Sequence, residues 1–472
     1  MRDQSPGKWT VFALVTTGTF MSTLDSSIVN VALPTLMGKL DTTLLTIEWV
    51  VLSYLIAFTA LILSFGRLSD ILGRRRILVT GHALFTTSSL LCALSPSVGA
   101  LIAARTLQGT GAAMIMSCSQ ALIVDAFPET ERGRALGSIA TVVAAGLTSG
   151  PVIGGFILSH FEWWMIFAVN IPVGLTVAVL SWRILKGTEA DIRRDEPFDL
   201  LGGLLIALAC GTLFTGLTHG HTWGYGSVRV LGLTGAGIVL TVLFILQEKR
   251  VSHPVLEPRL FDERSFRLPV LSAISLYTAL FTMVFLMPFY LIFPMGYSEA
   301  QVGTVMMIPF ALLFVVPPLS GALADRIGSR ILCVTGMAIL SLALALLAWP
   351  TQVTAFPPIA FKLALSGLGI ALFLPPNSTT IMSSVPPIRR GVASSVVGAA
   401  RNLGMVMGVA LAGAVFNHTY TALSGANGLS TYTPAMEAPF LAAFRYALFC
   451  GAATAAIGSL LAWQRGPEPN AK

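Results

Sequence analysis

Ionisable side chains are rare inside the apolar stretches of this 472-residue chain, and those few are the candidates for chemistry. Asp25, Arg105 and Arg401 each lie deep in a long apolar run, and Glu48 lies near the start of another. A charge held in hydrocarbon costs about 3 kcal/mol or more, so such residues indicate proton or substrate sites by default. A carboxyl that binds and releases a proton, beside a permanently charged arginine, is chemistry suited to moving protons.

Asp25 and Arg105 are predicted to lie at the same depth. Asp25 is about 15 residues into the first apolar run, which places it roughly 8–10 Å from the outer edge of the membrane. Arg105 is about seven residues into the fourth run, which crosses in the opposite direction, so it lies roughly 10 Å from the same edge. We favour a proton-coupling pair, and the alternative is a purely structural ion pair. Glu48 is the rival acid, unless it only sits at a helix start, where acids suit the macrodipole.

A stripe of small polar side chains on the first helix predicts a wet cavity. Ser22, Ser26 and Asn30 fall within about 100° of one another at about 100° per residue. Asp25 falls about 60° to the side of this stripe, so it could instead face a neighbouring helix. Arg401 could bind an anionic group or a backbone carbonyl. The predicted substrate contacts are Ser22, Ser26, Asn30, Trp49, Gln108, Asn170 and Arg401.

The elements that position these residues are fourteen apolar runs, each of about the 20 residues needed to cross a membrane. Hydrophobic residues make up 54% of the chain and charged residues only 11%, whereas soluble domains carry about 25%. The five cysteines lie in apolar runs without metal spacing, so we expect free buried thiols. The runs are 10–35, 47–66, 77–95, 98–121, 134–158, 164–183, 199–217, 229–247, 268–292, 300–322, 331–349, 356–380, 391–416 and 441–463.

Basic residues mark one side of the membrane. With fourteen helices, 23 of the 29 Lys and Arg residues fall on the side that holds both termini, and only Lys39 and Arg229 fall in the opposite loops. The positive-inside rule makes the basic side cytoplasmic. Topology therefore explains the net charge of +7, and no nucleic-acid partner is predicted.

The chain also repeats itself. GRLSDILGRRRILVTG at 66–81 aligns without gaps to GALADRIGSRILCVTG at 321–336, an offset of 255 residues. Three glycines of the fifth helix recur at an offset of 258. Parallel six-helix repeats are typical of secondary transporters. We expect one bundle at 1–190, an inserted helix pair with its linkers at 191–262, and a second bundle at 263–472.

Two further groups are candidates for gating. Asp70 and Arg74 are four residues apart in a short cytoplasmic loop, and Asp125 ends a helix on the same side, so the three charges could form a latch. Asp325 is the repeat partner of Asp70. Small residues and a proline in the fifth helix permit close packing and a bend. These are Gly146, Gly150, Pro151, Gly154 and Gly155.

Five ordered motifs resemble the major facilitator superfamily, and within it the fourteen-helix drug:proton antiporters. They are LDSSIVNVALP at 24–34, GRLSDILGRRR at 66–76, RTLQGTGAA at 105–113, GLTSGPVIGG at 146–155 and WWMIFAVNIPVG at 163–174. The resemblance implies an all-α integral membrane protein with the major facilitator fold, made of two pseudo-symmetric six-helix bundles and an inserted pair.

The resemblance also implies roles for residues already singled out. Asp25 takes the place of the embedded first-helix acid, and Arg105 that of the basic residue linked to proton movement. Asp70, Arg74 and Asp125 occupy the positions of the family's cytoplasmic latch, whereas Ser329 replaces the latch arginine in the second repeat. Gly150, Pro151 and Gly155 occupy the positions of the family's hinge, which favours export.

The sequence thus predicts a proton-coupled exporter of amphipathic, often cationic, compounds that works by alternating access. The alternatives are an exporter of one physiological solute, such as a lipid, siderophore or metabolite, or a non-transporting membrane sensor. No GxxxxGK[ST], HExxH or GxSxG motif occurs, so neither an enzyme nor a bound cofactor or metal is predicted. We expect a monomer in the inner, plasma membrane, with small molecules, protons and lipids as its partners.

Overall fold

Long helices make up the computed structural model, which describes residues 7–185, 199–224, 226–251, 258–349, 356–386, 390–425, 429 and 432–465. Each of the fourteen apolar runs falls on an observed helix to within two residues, except that the sixth is divided between α6 and α7. The helices are α1 Lys8–Lys39, α2 Leu44–Leu72, α3 Arg74–Ala93, α4 Val98–Ala126, α5 Glu129–His160, α6 Met165–Ala168, α7 Asn170–Ile184, α8 Leu200–Trp223, α9 Val228–Glu248, α10 Arg264–Ile292, α11 Glu299–Ile327, α12 Ser329–Leu347, α13 Phe356–Ser383, α14 Arg390–Ser424 and α15 Glu437–Trp463.

Eleven helices in the described ranges are long and apolar enough to cross a membrane, and Leu200–Gly216 is a shorter apolar stretch. Helix α1 carries the polar stripe, and α3 begins with three arginines and is the least apolar of the long helices. We call the end of the bundle where α1 ends and α2 begins the outer end. The five cysteines are free, as predicted.

Local signals place the helix ends. Thr43 caps α2 by accepting from the Thr46 amide at 3.4 Å, and Ser298 and Gln301 form a capping box at the start of α11. Both helices end at glycines with positive φ, Gly73 at 100° and Gly328 at 88°, a conformation that L side chains avoid. These two glycines are 255 residues apart, so the repeated sequence produces a repeated turn.

Glycines repeat the same helix packing in both halves. A Cβ added at Gly146 would lie 2.9 Å from the Thr23 side chain of α1, and one added at Gly404 would lie 2.7 Å from the Tyr277 side chain of α10. Gly109 packs on the Tyr54 carbonyl as Gly367 packs on the Pro309 carbonyl. The packing is therefore pseudo-symmetric, with an offset of 254 residues between α1 and α10, 255 over the next two helices and 258 over the two after those.

The two halves meet along two seams. In the α5–α11 seam, Gly155 and the Pro151 carbonyl of α5 lie against Gly303 of α11. In the α2–α14 seam, Glu48 lies against Gly413 near the outer end, and Ile62 lies near Gly398 further inward. Both seams are built on glycine, because only a residue without a side chain lets two helices approach so closely.

The helix pair α8 and α9 lies beside the α2–α14 seam. Helix α8 contacts both α2 and α14, and α9 packs on α8 with most of its length exposed. At the outer end the Trp49 ring of α2 lies 5.2 Å from the His219 ring, which stacks on Trp223 at 4.4 Å. The pair therefore covers the outside of one seam instead of lining the centre.

Candidate functional site

The Asp25 carboxylate is the centre of a buried polar network in the first half. Its Oδ2 accepts from Arg105 Nη1 of α4 at 2.5 Å. Its Oδ1 accepts from Gln108 Nε2 at 3.0 Å and from Asn170 Nδ2 of α7 at 2.7 Å. Three donors on two other helices therefore hold this carboxylate, and the ion pair predicted from depth alone is present.

Arg105 is held from every side. Its Nε donates to the Val50 carbonyl of α2 at 3.0 Å, and its Nη1 also contacts Gln108 Oε1 at 2.6 Å. The guanidinium lies 4.2 Å from the Tyr54 ring centroid, a cation–π contact. Tyr54 in turn donates its hydroxyl to the Ser22 carbonyl at 3.3 Å. The network thus reaches from α4 to α1, α2 and α7.

Asp25, Arg105 and Gln108 have no exposed surface, so the network is closed to water in this conformation. A buried ion pair is tolerable because its charges cancel and its remaining hydrogen-bonding atoms find partners. Removing either charge would leave the other uncompensated in a medium of low dielectric constant. The burial of Asp25 and the burial of Arg105 therefore depend on each other.

Gln108 and Asn170 differ from the predicted cavity lining. Both were expected to contact substrate, but both are buried and donate to Asp25. Gln108 additionally donates to Ser89 Oγ of α3 at 2.8 Å. Gln108 shares a helix face with Arg105, and the neighbouring helices occupy the space in front of that face.

The stripe on α1 is also closed. Ser22, Ser26 and Asn30 are all buried, and Ser22 donates to the Gly18 carbonyl of its own helix at 2.8 Å. Asn30 donates to the Ser26 carbonyl at 2.7 Å, while its Oδ1 has no hydrogen-bond partner among the described residues. Trp49 faces α8 instead of the centre. In this conformation none of the four lines an open cavity, so their contact with substrate stays a prediction.

Glu48 and Arg401 lie at the interface between the halves. Glu48 is fully buried, and neither carboxyl oxygen has a hydrogen-bond partner in the described part of the chain. Arg401 of α14 is half-buried and close enough to Tyr54 of α2 and Tyr277 of α10 to interact electrostatically with both. Within the described ranges it forms no hydrogen bond or ion pair to a side chain. Among the predicted deep charges, only Arg401 keeps exposed surface.

The three latch charges meet at the inner end. Arg74 donates through Nη2 to Asp70 Oδ1 at 3.0 Å and also pairs with Asp125 of α4. In the second half Ser329 takes the place of Arg74, and its hydroxyl hydrogen-bonds with Thr380 at 2.7 Å. The Asp325 side chain lies outside the described residues. In the second half, an uncharged hydroxyl contact therefore stands where the first half has its charge cluster.

The small residues of α5 serve two different contacts. Gly146 and Gly150 pack on α1, where Ser27 Oγ also donates to the Leu147 carbonyl at 2.9 Å. Gly154 makes only ordinary contact with Ile28, whereas Gly155 and Pro151 lie in the α5–α11 seam. The candidate hinge thus joins α5 to α1 on one side and to the second half on the other.

Sequence reasoning missed four groups that complete the network. Ser89, Tyr54, Phe167 and the Val50 carbonyl all contact Arg105 or Gln108. Ser89 and Tyr54 share the depth of Arg105, a signal that the spacing along their helices contained. The Val50 carbonyl left no signal, because any residue supplies a backbone oxygen.

A helical membrane protein with a buried acid–arginine network and two glycine seams between related halves has the organisation of a secondary carrier. The model of the Major Facilitator Superfamily matches residues 15–409. The chain belongs to this superfamily and is a membrane transporter, not an enzyme.

Relatives of known name include exporters and a vitamin transporter. The chain is 36% identical over 400 residues to the multidrug resistance protein Stp of Mycobacterium tuberculosis, covering 84% of this chain and 74% of Stp. It is 32% identical over 415 residues to the riboflavin transporter RibZ of Clostridioides difficile, covering 88% and 89%. A solved structure of a bacterial homologue of the lysosomal transporter Spinster matches 98% of this chain and 97% of its own, with a TM-score of 0.68 and 14% identity. That likeness supports the fold alone.

Proposed function

We propose that the chain is a proton-coupled exporter of amphipathic compounds in the plasma membrane, with both termini cytoplasmic, and that it acts as a monomer by alternating access. The observation that carries the proposal is Asp25, a fully buried acid whose one charged partner in the described ranges is Arg105. The amides of Gln108 and Asn170 complete the hydrogen bonds of the carboxylate, and an acid that must pass between charged and neutral forms benefits from such partners, which can rearrange.

The cycle follows from this coupling. Arg105 near Asp25 favours the ionised carboxylate, and withdrawal of the guanidinium leaves a buried acid that favours a proton. Protonation from the outer side would accompany substrate release, and deprotonation inside would accompany loading. The bundles 1–190 and 263–472 rock about the two seams, with the latch of Asp70, Arg74 and Asp125 biasing one state.

Substrate polarity is the least constrained part of the proposal. Asp25 and Glu48 are fully enclosed, so a cationic compound meets no exposed deep acid in the described residues of this conformation. Arg401 instead offers a positive charge between Tyr54 and Tyr277. We therefore expect only weak selectivity for cations over neutral amphipathic compounds.

An exporter of one physiological solute is the second candidate, because RibZ, named for a single vitamin, covers nearly the whole chain. Purified protein in liposomes with an imposed pH gradient separates the two candidates. We expect several unrelated amphipathic dyes to move against their gradients while protons cross in the opposite direction. A protonophore should abolish this movement. Movement of only one compound would favour the second candidate, and movement unaffected by the protonophore would overturn proton coupling.

A further inference from the structure

Glu48 occupies an unusual place in the α2–α14 seam. Its carboxyl lies directly on Gly413 of the other half, and a Cβ added at Gly413 would come within 2.9 Å of the carboxyl carbon. The side chain has no exposed surface, and both carboxyl oxygens lack a hydrogen-bond partner among the described residues. A buried acid aimed at a glycine of the opposite half therefore closes this seam near its outer end.

No described charge compensates this carboxyl. The helices packed against α2 are α1, α3, α4, α8 and α14, and no charged or titratable group that the structure describes on them interacts electrostatically with Glu48. Arg105 donates to the carbonyl of Val50, which is two residues after Glu48 in α2, but its charge is already paired with Asp25. The titratable side chains that the structure describes on these helices within the membrane are Asp25, His82, Cys92, Arg105, Cys118, Cys210, His219, Arg401, His418 and Tyr420.

The other seam shows that packing does not require an acid here. At an offset of 255 residues Glu48 corresponds to Gly303, because α2 and α11 have matching bounds. At an offset of 258 Gly413 corresponds to Gly155, and Gly155 packs against Gly303. The α5–α11 seam thus closes glycine against glycine, while the α2–α14 seam closes glycine against a carboxyl. The acid is an addition to the repeated architecture.

A carboxylate buried without a partner is so unfavourable that such a site accepts the neutral acid instead. We propose that Glu48 is a second proton-binding site, separate from Asp25, and that its protonated carboxyl is the form that lets the outer end of the α2–α14 seam close. Loss of the proton creates a charge that must reach water, and it can do so only if α2 and α14 separate. The seam is then a proton-operated outer gate.

This inference rests on the proposed function only in assuming that the halves move relative to each other. It adds a proton that closes the outer side directly, whereas Asp25 and Arg105 act within the first half. In an exporter driven by inward proton flow, protonation from outside would close the outer gate behind the departing substrate. Glu48 and Asp25 would then both receive their protons from the outer side.

The test measures the gate without substrate or pH gradient. Spin labels on Cys replacing Thr42 and Ala422, in a Cys450→Ser background, report the separation of α2 and α14 at the outer end in lipid nanodiscs. If the packed and open forms of the seam differ by one bound proton, the ratio of their populations changes by up to about tenfold per pH unit. We expect the short distance to dominate at about pH 5 and the long distance to grow towards about pH 9.

Variants assign the effect to Glu48. Glu48→Gln, neutral and of nearly the same shape, should keep the short distance at every pH. Gly413→Ala, which removes the seat of the carboxyl, should favour the long distance even at acidic pH. Glu162→Gln, an exposed outer acid, is the matched control and should respond like the parent.

A parent protein whose distances ignore pH, or a Glu48→Gln variant that still responds like the parent, would overturn the gate. Proton-coupled transport by the same protein would then leave the proposed function intact. Conversely, a gate that responds through Glu48 in a protein that moves no compound would overturn the proposed function alone. Infrared detection of the protonated carboxyl, lost in Glu48→Gln, gives a second readout that needs no labels.

Discussion

Asp25→Asn tests the buried network most directly, because the substitution keeps the shape of the side chain and removes only its charge. The carboxylate now accepts at both oxygens, from Arg105 on one side and from Gln108 and Asn170 on the other. Asparagine turns one acceptor into a donor, which must then face either the guanidinium or the two amides. Arg105 would also become a buried charge without a counter-ion.

The magnitude follows from that imbalance. Breaking a buried ion pair by removing one partner costs about 3–5 kcal/mol of unfolding free energy. The Val50 carbonyl and the Tyr54 ring remain with Arg105, so we place Asp25→Asn at the lower end of that range. Neutralising both partners, in Asp25→Asn combined with Arg105→Gln, removes the stranded charge. The double variant should lose only about 1–3 kcal/mol, the cost of imperfect neutral hydrogen bonds.

The assay combines thermal unfolding in detergent with transport in liposomes. The double variant should unfold at a higher temperature than Asp25→Asn, yet both should fail to concentrate substrate from a pH gradient while still binding it. Stability recovered without coupling is the signature of a proton site. A double variant that still concentrates substrate would refute the role of Asp25, and loss of coupling in Glu48→Gln alone would move that role to Glu48.

Three further predictions concern the gates and the topology. Asp70→Asn should lower turnover without weakening substrate binding, since exposed ion pairs contribute about 0–1 kcal/mol and only bias two nearly balanced states; Ser329→Ala is the control, and unchanged turnover would count against the latch. Gly155→Ala should slow transport, because its Cβ would lie 2.5 Å from a carbonyl oxygen across the α5–α11 seam, whereas Gly154→Ala, with 3.4 Å to its nearest neighbour, should be tolerated; equal rates in liposomes would exclude hinge motion at this contact. A cysteine placed within 186–196 should resist an impermeant reagent added outside intact cells, and labelling there would reverse the predicted orientation.

Hydropathy was sufficient to locate the helices because a membrane demands about 20 apolar residues per crossing whatever their neighbours are. It could not show that the sixth run is divided at Val169. Pro172 lacks the N–H that would bond to the Ala168 carbonyl, and the helix is interrupted there. The sequence contained the proline, but a proline can bend a helix as well as interrupt it.

Depth along a helix predicted the Asp25–Arg105 pair, because two opposite charges at the same depth in a membrane stabilise each other by pairing. Rotation about the helix axis is a different matter. A helical wheel places Gln108 on the same face as Arg105, but it cannot show whether water or another helix lies in front of that face. Asn170 begins α7, whose orientation depends on tertiary packing. Both residues were therefore expected in a cavity and instead bind the acid.

The two halves repeat the same helix packing but differ in buried charge. At the offsets that align the packing glycines with their contacts, Asp25 corresponds to Ala279, Arg105 to Leu363 and Arg74 to Ser329. Ala279 and Leu363 are buried in the apolar core, where no charge is needed to hold the fold. Since the second half packs in the same way without these charges, their cost in the first half is not a requirement of the architecture. This asymmetry favours a division of labour in which protons act on the first half and on the Glu48 seam, while the second half contributes Arg401 to the space between them.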